Sequence, residues 1–200
     1  MNAKTPIRGG LLVACCLAGA LATGASALAR PDSAPAGPGN SCRGKGMPPH
    51  CPDRGMPAEL RAQLALLRAA ATPFYNFDVA RSAGWNALIS ACVESPAGGM
   101  GFHYGNPDQL ANEGALSLLR PEVLVFVPME DGSMRFGAVE YIIAAADWPY
   151  AEPPEFMGRQ LGYNEHLDLW ALHVWIGIDN PAGIFADFNP DVNCEYAPEP

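Results

Sequence analysis

The spacing of apolar residues predicts helices first and strands afterwards. The residues that recur at helical spacing are Leu60, Leu64, Leu67 and Ala71. Pro57 suits the first turn of a helix, so we predict a helix over residues 57–71. A second, shorter helix is predicted over residues 73–83, where Gly84 ends it.

From Trp85 onward, apolar and β-branched runs predict strands. The predicted strands cover residues 88–93, 102–104, 122–128, 134–144, 167–178 and 184–188. Residues 98–101 are a predicted glycine turn, Asp131-Gly132 is a hairpin signal, and residues 147–165 form a Pro-rich excursion. The pattern predicts an α+β fold, with two N-terminal helices followed by a mostly antiparallel β-sheet.

The start of the chain has the pattern of a secretory signal peptide. Lys4 and Arg8 precede an apolar stretch without charge, which ends in the small-x-small sequence Ala27-Leu28-Ala29. The stretch is too interrupted for a spanning helix, which needs about 20 strongly apolar residues. We therefore expect residues 1–29 to be removed and the protein to be exported to the periplasm or the outside of the cell, with no membrane span.

A lipoprotein box is the alternative at this end of the chain. Leu12-Val13-Ala14 precedes Cys15 in the expected manner. However, the apolar run before Cys15 is short and continues past it, whereas a lipoprotein would turn polar there. Lipid anchoring at Cys15 is therefore the less favoured interpretation.

Composition divides the mature chain into an arm and a domain. Residues 30–56 are rich in Pro, Gly, Ser and Ala and predict a flexible arm. Residues 57–200 are long enough for a single α+β domain. Within the arm, Met47, His50 and Met56 offer soft ligands that suit copper, although an incidental mixture in a linker is the preferred explanation.

The charge of the mature chain disfavours nucleic acid as a partner. The full chain has 12 basic and 21 acidic residues and a net charge of −9. Loss of Lys4 and Arg8 with the signal would make that charge −11. A chain this acidic repels phosphate backbones.

Four cysteines follow the signal, and an even number in an exported chain predicts disulfides. Three pairings are possible, and we favour Cys42–Cys51 together with Cys92–Cys194. The second pair would close about 100 residues, which the chain-entropy model values at about 4–5 kcal/mol. A thiolate metal site is the alternative, but the spacing contains no Cys-x-x-Cys.

Three ionisable residues are predicted at the centres of apolar strands. Strict alternation places Glu140 on the face of its strand that also holds Phe136 and Ala138, and His173 on the face that holds Trp175. His103 lies between Phe102 and Tyr104. Burying such groups is costly unless they are paired or bound to a metal.

Two histidines and a carboxylate are a recurrent ligand set for divalent transition metals. We therefore predict that His103, Glu140 and His173 form a site for zinc, iron, manganese or copper, with Met100 as a further possible ligand. A structural Glu–His pair with an unrelated His103 is the alternative. His166 is predicted to be exposed in a loop and outside the site.

Other catalytic or binding patterns are weak or absent. No Gly-x-Ser-x-Gly elbow occurs, and the glycines at 98, 99 and 101 do not form a dinucleotide-binding motif. The oxygen-rich run 187–193 resembles a calcium loop, but Pro190 and Val192 break the pattern and Asx turns explain it. Whether the protein is an enzyme stays open.

Three motifs carry a resemblance to a known family. They are Cys92-Val93-Glu94-Ser95-Pro96-Ala97-Gly98-Gly99-Met100-Gly101-Phe102-His103-Tyr104, then Val139-Glu140-Tyr141, then His173-Val174-Trp175 with the Asn180-Pro181-Ala182-Gly183, Phe185–Pro190 and Cys194 ending. Over about residues 68–194 the chain resembles an uncharacterised family of exported bacterial proteins. The resemblance implies a bacterial source and makes His103, Glu140 and His173 motif positions. It implies no activity.

Two non-metal functions compete with the metal site. One is a non-catalytic module that binds a small apolar ligand among aromatic side chains. Those side chains are Trp85, Trp170, Trp175 and Phe102. The other is a structural envelope protein whose histidines only satisfy buried hydrogen bonds.

Overall fold

A computed structural model describes residues 55–198 of the chain. The predicted signal peptide, almost all of the predicted arm and the Cys42–Cys51 pair lie outside these residues. The eight strands of the described part are β1 Ala87–Ser95, β2 Gly98–Gly105, β3 Val123–Pro128, β4 Met134–Ala144, β5 Glu155–Phe156, β6 Arg159–Gln160, β7 Gly162–Asn164 and β8 Leu169–Trp175. The three α-helices of the same part are α1 Ala58–Ala71, α2 Phe77–Ser82 and α3 Pro107–Leu110.

Six of the strands form one antiparallel sheet. Their order is β1-β2-β3-β4-β8-β7, while β5 and β6 form a separate small hairpin. The Asp131-Gly132 hairpin between β3 and β4 is confirmed, since Gly132 has a positive φ of +79° and Ser133 donates its backbone N–H to Asp131. The fold is therefore α+β with a mostly antiparallel sheet.

The helical region is less regular than the apolar spacing predicts. Helix α1 begins after Pro57, and the second predicted helix is split. Asn76 is extended, with φ −95° and ψ 114°, and its side chain accepts hydrogen bonds from the backbone N–H groups of Asp78 and Val79. Asn76 thus caps α2 and separates it from the 3-10 turn Thr72–Tyr75.

The predicted turn at residues 98–101 is wrong. These residues are the first half of β2, and the turn is the Pro96-Ala97 pair that joins β1 to β2. Gly98, at φ +120°, lies so close to the C-terminal segment that a Cβ there would overlap the backbone of Asn189 and Pro190. A backbone bridge between Gly99 and Asn189 fixes the same contact. Gly98 and Gly99 therefore allow the backbone of β2 to pack closely against the backbone of the C-terminal segment.

The strict alternation predicted for β4 is also wrong. The register with β3 shifts between Val125 and Phe126, which pair with Ala138 and Phe136, so Gly137 is an extra residue on β4. A β-bulge of this kind reverses which side chains share a face. Phe136 consequently packs in the larger core, while Ala138 packs on the opposite face, which is the face of Glu140.

The sheet separates two hydrophobic clusters. The larger cluster lies between the sheet and α1, whose Leu60, Leu64 and Leu67 are buried there. The smaller cluster lies on the other face, under the segment that follows β8. Its buried members are Val125, Val127, Ala138, Trp175 and Val192.

The segment after β8 is irregular, so the predicted strand at residues 184–188 is wrong, and β8 itself is shorter than predicted. The backbone N–H of Trp175 donates to the Ile184 carbonyl, and its indole N–H donates to the Ala186 carbonyl. Ile184 and Phe185 pack against the cores as loop residues, which accounts for their apolar character. The Pro-rich excursion likewise contains the unpredicted β7, which pairs with β8.

A disulfide joins the last segment to the first strand. Cys92 on β1 is bonded to Cys194, and their Cα atoms are 5.8 Å apart across 102 residues of chain. This is the pairing that the cysteine pattern favoured. Within residues 55–198, no helix has both the length and the apolar character needed to cross a bilayer.

The close approach at Gly98 can be tested against a glycine with nearly the same φ angle. Gly183 has φ +122°, yet a Cβ there would meet nothing. We expect Gly183→Ala to cost about 1–2 kcal/mol through its backbone conformation alone. Gly98→Ala should cost about 1–3 kcal/mol more through overlap. Chemical denaturation measures both, and equal losses would contradict the packing role of Gly98.

Candidate metal centre

The three predicted ligands come from three strands of the main sheet. His103 is on β2, Glu140 on β4 and His173 on β8. Glu140 and His173 are direct cross-strand partners, and His103 is separated from β4 by β3. All three point to the face of the smaller cluster, which the segment after β8 covers.

Curvature of the sheet brings the histidines together. Strands β2 and β8 are three strand spacings apart, about 14 Å in a flat sheet, which two imidazole side chains do not span. Their Nε2 atoms are nevertheless 3.1 Å apart. Val125 and Ala138 occupy the intervening strands at the level of His103, and their small side chains leave room for the rings.

The potential ligand atoms converge in a buried space. One atom from each of His103, Glu140 and His173 lies within 4.8 Å of the other two. Glu140 Oε2 is 3.8 Å from His103 Nε2, and Glu140 Oε1 is 3.5 Å from His173 Nδ1. Only 5%, 6% and 3% of His103, Glu140 and His173 are exposed. The residues that the sequence singled out therefore form one cluster that could hold a metal ion.

Each histidine also has a polar neighbour at its Nδ1 atom. Ser90 Oγ is 2.8 Å from His103 Nδ1, and the two residues are cross-strand partners on β1 and β2. Asp187 Oδ1 is 3.8 Å from His173 Nδ1, and its side chain is 70% exposed. The two Nε2 atoms thus face each other, Nδ1 of His103 faces Ser90, and Nδ1 of His173 faces both Glu140 and Asp187.

The two histidines differ in proton affinity. Burial lowers the pKa of His103, and this outweighs the raising effect of Glu140. Burial also acts to lower the pKa of His173, but Glu140 and Asp187 together raise it above its ordinary value. The contact between the two Nε2 atoms requires a hydrogen on one and a lone pair on the other. A metal ion between them would replace that hydrogen.

A second buried carboxylate lies nearby and is not part of the cluster. Glu122 is 1% exposed, and it accepts hydrogen bonds from the Asn112 amide at 3.1 Å and from the Ile142 backbone N–H at 3.2 Å. Asn112 also donates to the Ile142 carbonyl at 2.7 Å. The pairing of β4 with β3 ends at the Val123–Glu140 pair. Beyond it, the side chains of Glu122 and Asn112 form hydrogen bonds with the backbone of Ile142 on β4.

The remaining residues that the sequence suggested for a site are not part of the trio. His166 is exposed in the turn before β8, as expected. Met100 is half-buried on β2, and its role as a ligand stays a prediction. Trp85 packs in the larger cluster and Trp175 in the smaller one, on opposite faces of the sheet. The four aromatic residues therefore do not line one cavity.

Sequence reasoning missed the neighbours of the trio. Ser90 is an isolated serine on an edge strand, and only its register opposite His103 reveals the contact. Asp187 was considered only as a calcium-loop oxygen. Glu122 was placed within a predicted strand without any role. The sequence shows these three residues only as polar residues beside apolar runs. Such a pattern does not reveal which side chains, distant in the chain, they contact.

Comparison with known proteins yields no relative, because no family model, curated protein or solved structure matches the chain. The resemblance to exported bacterial proteins therefore stays a prediction.

The buried carboxyl of Glu122 predicts a pH dependence of stability. Burial raises its pKa to about 7, against hydrogen bonds from Asn112 and Ile142 that lower it. The folded state therefore holds the proton of the Glu122 carboxyl more tightly than the unfolded chain does. The stability that this proton contributes is complete below pH 4.5 and is lost as pH rises through 7. The loss is on the order of 3 kcal/mol.

We expect Glu122→Gln to reduce the fall in unfolding free energy between pH 5 and pH 8, measured by urea titration at each pH. Glu165→Gln, at an exposed position, should leave that fall unchanged. Parallel curves for the protein and Glu122→Gln would show that Glu122 does not titrate in this range.

Proposed function

We propose that the protein is an exported metal-binding protein that holds a divalent transition metal between His103, Glu140 and His173. The convergence of these three side chains in a buried space, with ligand atoms within 4.8 Å of one another, carries this proposal. The residues lie 37 and 33 positions apart in the chain, so the cluster is a product of the fold and not of local sequence.

The donor set supports a metal of intermediate softness. Two imidazole nitrogens and one carboxylate oxygen suit zinc, iron or manganese, and imidazole also suits copper. Three protein ligands leave at least one coordination position for water or another small molecule. Such a position is what a catalytic or ligand-binding metal needs, whereas a purely structural zinc has four protein ligands.

Electrostatics also favour a cation at this place. Glu140 is buried in apolar surroundings, and its described ion-pair contacts are with the two histidines at 3.5 and 3.8 Å. Both distances are too long for strong hydrogen bonds. A divalent ion would supply the charge that stabilises the buried carboxylate and would accept the Nε2 lone pairs of both imidazoles.

Export of the protein is part of the proposal. The Cys92–Cys194 disulfide is typical of an oxidising compartment, and the first 29 residues have the pattern of a signal peptide. A metal site in such a protein acts in the periplasm or outside the cell.

Metal analysis tests the proposal. The purified protein should contain nearly one transition-metal ion per chain by elemental analysis. His103→Ala, His173→Ala and Glu140→Gln should each weaken binding by more than the roughly 10–100-fold that loss of an outer partner causes. Glu140→Gln keeps the side-chain shape, so it separates loss of a ligand from loss of packing.

His166→Ala is the matched control, because His166 is exposed in the turn before β8 and should not change the metal content. A protein that stays metal-free after purification without chelators, and that binds none of the four metals in titration, would contradict the proposal. The substitutions would then only lower stability, by about 1–3 kcal/mol, through unpaired buried groups.

A further inference from the structure

The loop after β8 supplies a carboxylate to the outer side of His173. Asp187 Oδ1 faces His173 Nδ1 at 3.8 Å. Asp187 is not one of the three convergent groups. Its place is therefore behind the imidazole, on the side away from His103.

The backbone around Asp187 is anchored to the strand that carries His173. Trp175, two residues after His173, donates its indole N–H to the Ala186 carbonyl at 2.7 Å. On the other side of Asp187, the Phe188 carbonyl accepts a hydrogen bond from the Asn180 amide at 3.0 Å. The exposed carboxylate is thus carried by a fixed piece of backbone.

A hydrogen on Nδ1 of His173 would have two carboxylates as potential acceptors. Glu140 Oε1 is 3.5 Å away and Asp187 Oδ1 is 3.8 Å away. Glu140 is the one that also faces His103, at 3.8 Å, and so is the one placed to bind a metal. When Glu140 turns to an ion, the Nδ1 hydrogen needs another acceptor, and Asp187 is the neighbour that remains.

We propose that Asp187 is a positioning residue that accepts the Nδ1 hydrogen of His173 and so holds its Nε2 lone pair toward the metal. This inference rests on the proposed function. Ser90 has the corresponding place at Nδ1 of His103, at 2.8 Å, so each imidazole has a polar side chain from outside the trio near Nδ1. Histidine ligands of metals are commonly fixed in this manner, and a carboxylate partner also increases the basicity of the ring.

Metal affinity of the folded full-length protein tests the inference, with competition against a chelator as the measurement and Zn²⁺ as the probe. Asp187→Ala should bind Zn²⁺ roughly 10–100-fold more weakly than the unaltered protein. Asp187→Asn keeps an acceptor oxygen without the charge, so its loss should be smaller. Urea denaturation of metal-free Asp187→Ala should match that of the unaltered protein, because the side chain is 70% exposed.

Asp191→Ala is the control, since it removes an equal charge from an exposed position of the same segment. It should change the affinity little. If Asp187→Ala binds Zn²⁺ as well as the unaltered protein, or loses no more than Asp191→Ala, the positioning role is overturned while the metal site stands. If the unaltered protein binds no metal, the proposed function and this inference both fail.

Discussion

The burial of one carboxylate beside two imidazoles is the constraint on which the sheet depends. Glu140 lies in an apolar setting where an unpaired charge would cost several kcal/mol. Its neighbour His173 is provided by direct pairing of β4 with β8, but His103 reaches it only because the sheet curls across β3. The curvature of the sheet and the small side chains of Val125 and Ala138 allow this contact.

Glycine positions and the C-terminal segment complete the arrangement. The extra residue Gly137 reverses the faces of β4, so that Phe136 enters the larger core while Glu140 stays with Ala138 on the opposite face. Gly98 permits the backbone near Asn189 to lie against β2. The Cys92–Cys194 disulfide ties the same segment to β1, which also carries Ser90. The elements that orient the two histidines are therefore linked covalently.

Much of this was predictable from the sequence, and the failures have identifiable physical reasons. Apolar spacing predicted the first helix, and Asp131-Gly132 predicted the hairpin, because both signals are local. The polar residues His103, Glu140 and His173 were conspicuous inside apolar strands, since their burial demands compensation. The face of β4 on which Phe136 lies was predicted wrongly, because a bulge depends on the register with a neighbouring strand.

The contacts of Ser90 and Asp187 were not predictable for a related reason. Each depends on where the chain passes in space, and no periodic pattern encodes that path. The region around residues 184–188 shows the same effect, since alternating apolar residues there satisfy the packing of a loop. The residue types were thus enough to predict the candidate ligands. The neighbours of the two histidines depend on tertiary structure and were not predictable.

The most direct test of the metal centre is a crystal structure of the protein grown without chelators, with anomalous diffraction measured at the metal absorption edge. Our account predicts one anomalous peak between β2, β4 and β8. The peak should lie about 2.0–2.2 Å from an imidazole nitrogen of His103, an imidazole nitrogen of His173 and an oxygen of Glu140. A peak at other residues, or a metal-soaked crystal in which the two Nε2 atoms keep their direct contact with no peak between them, would contradict it.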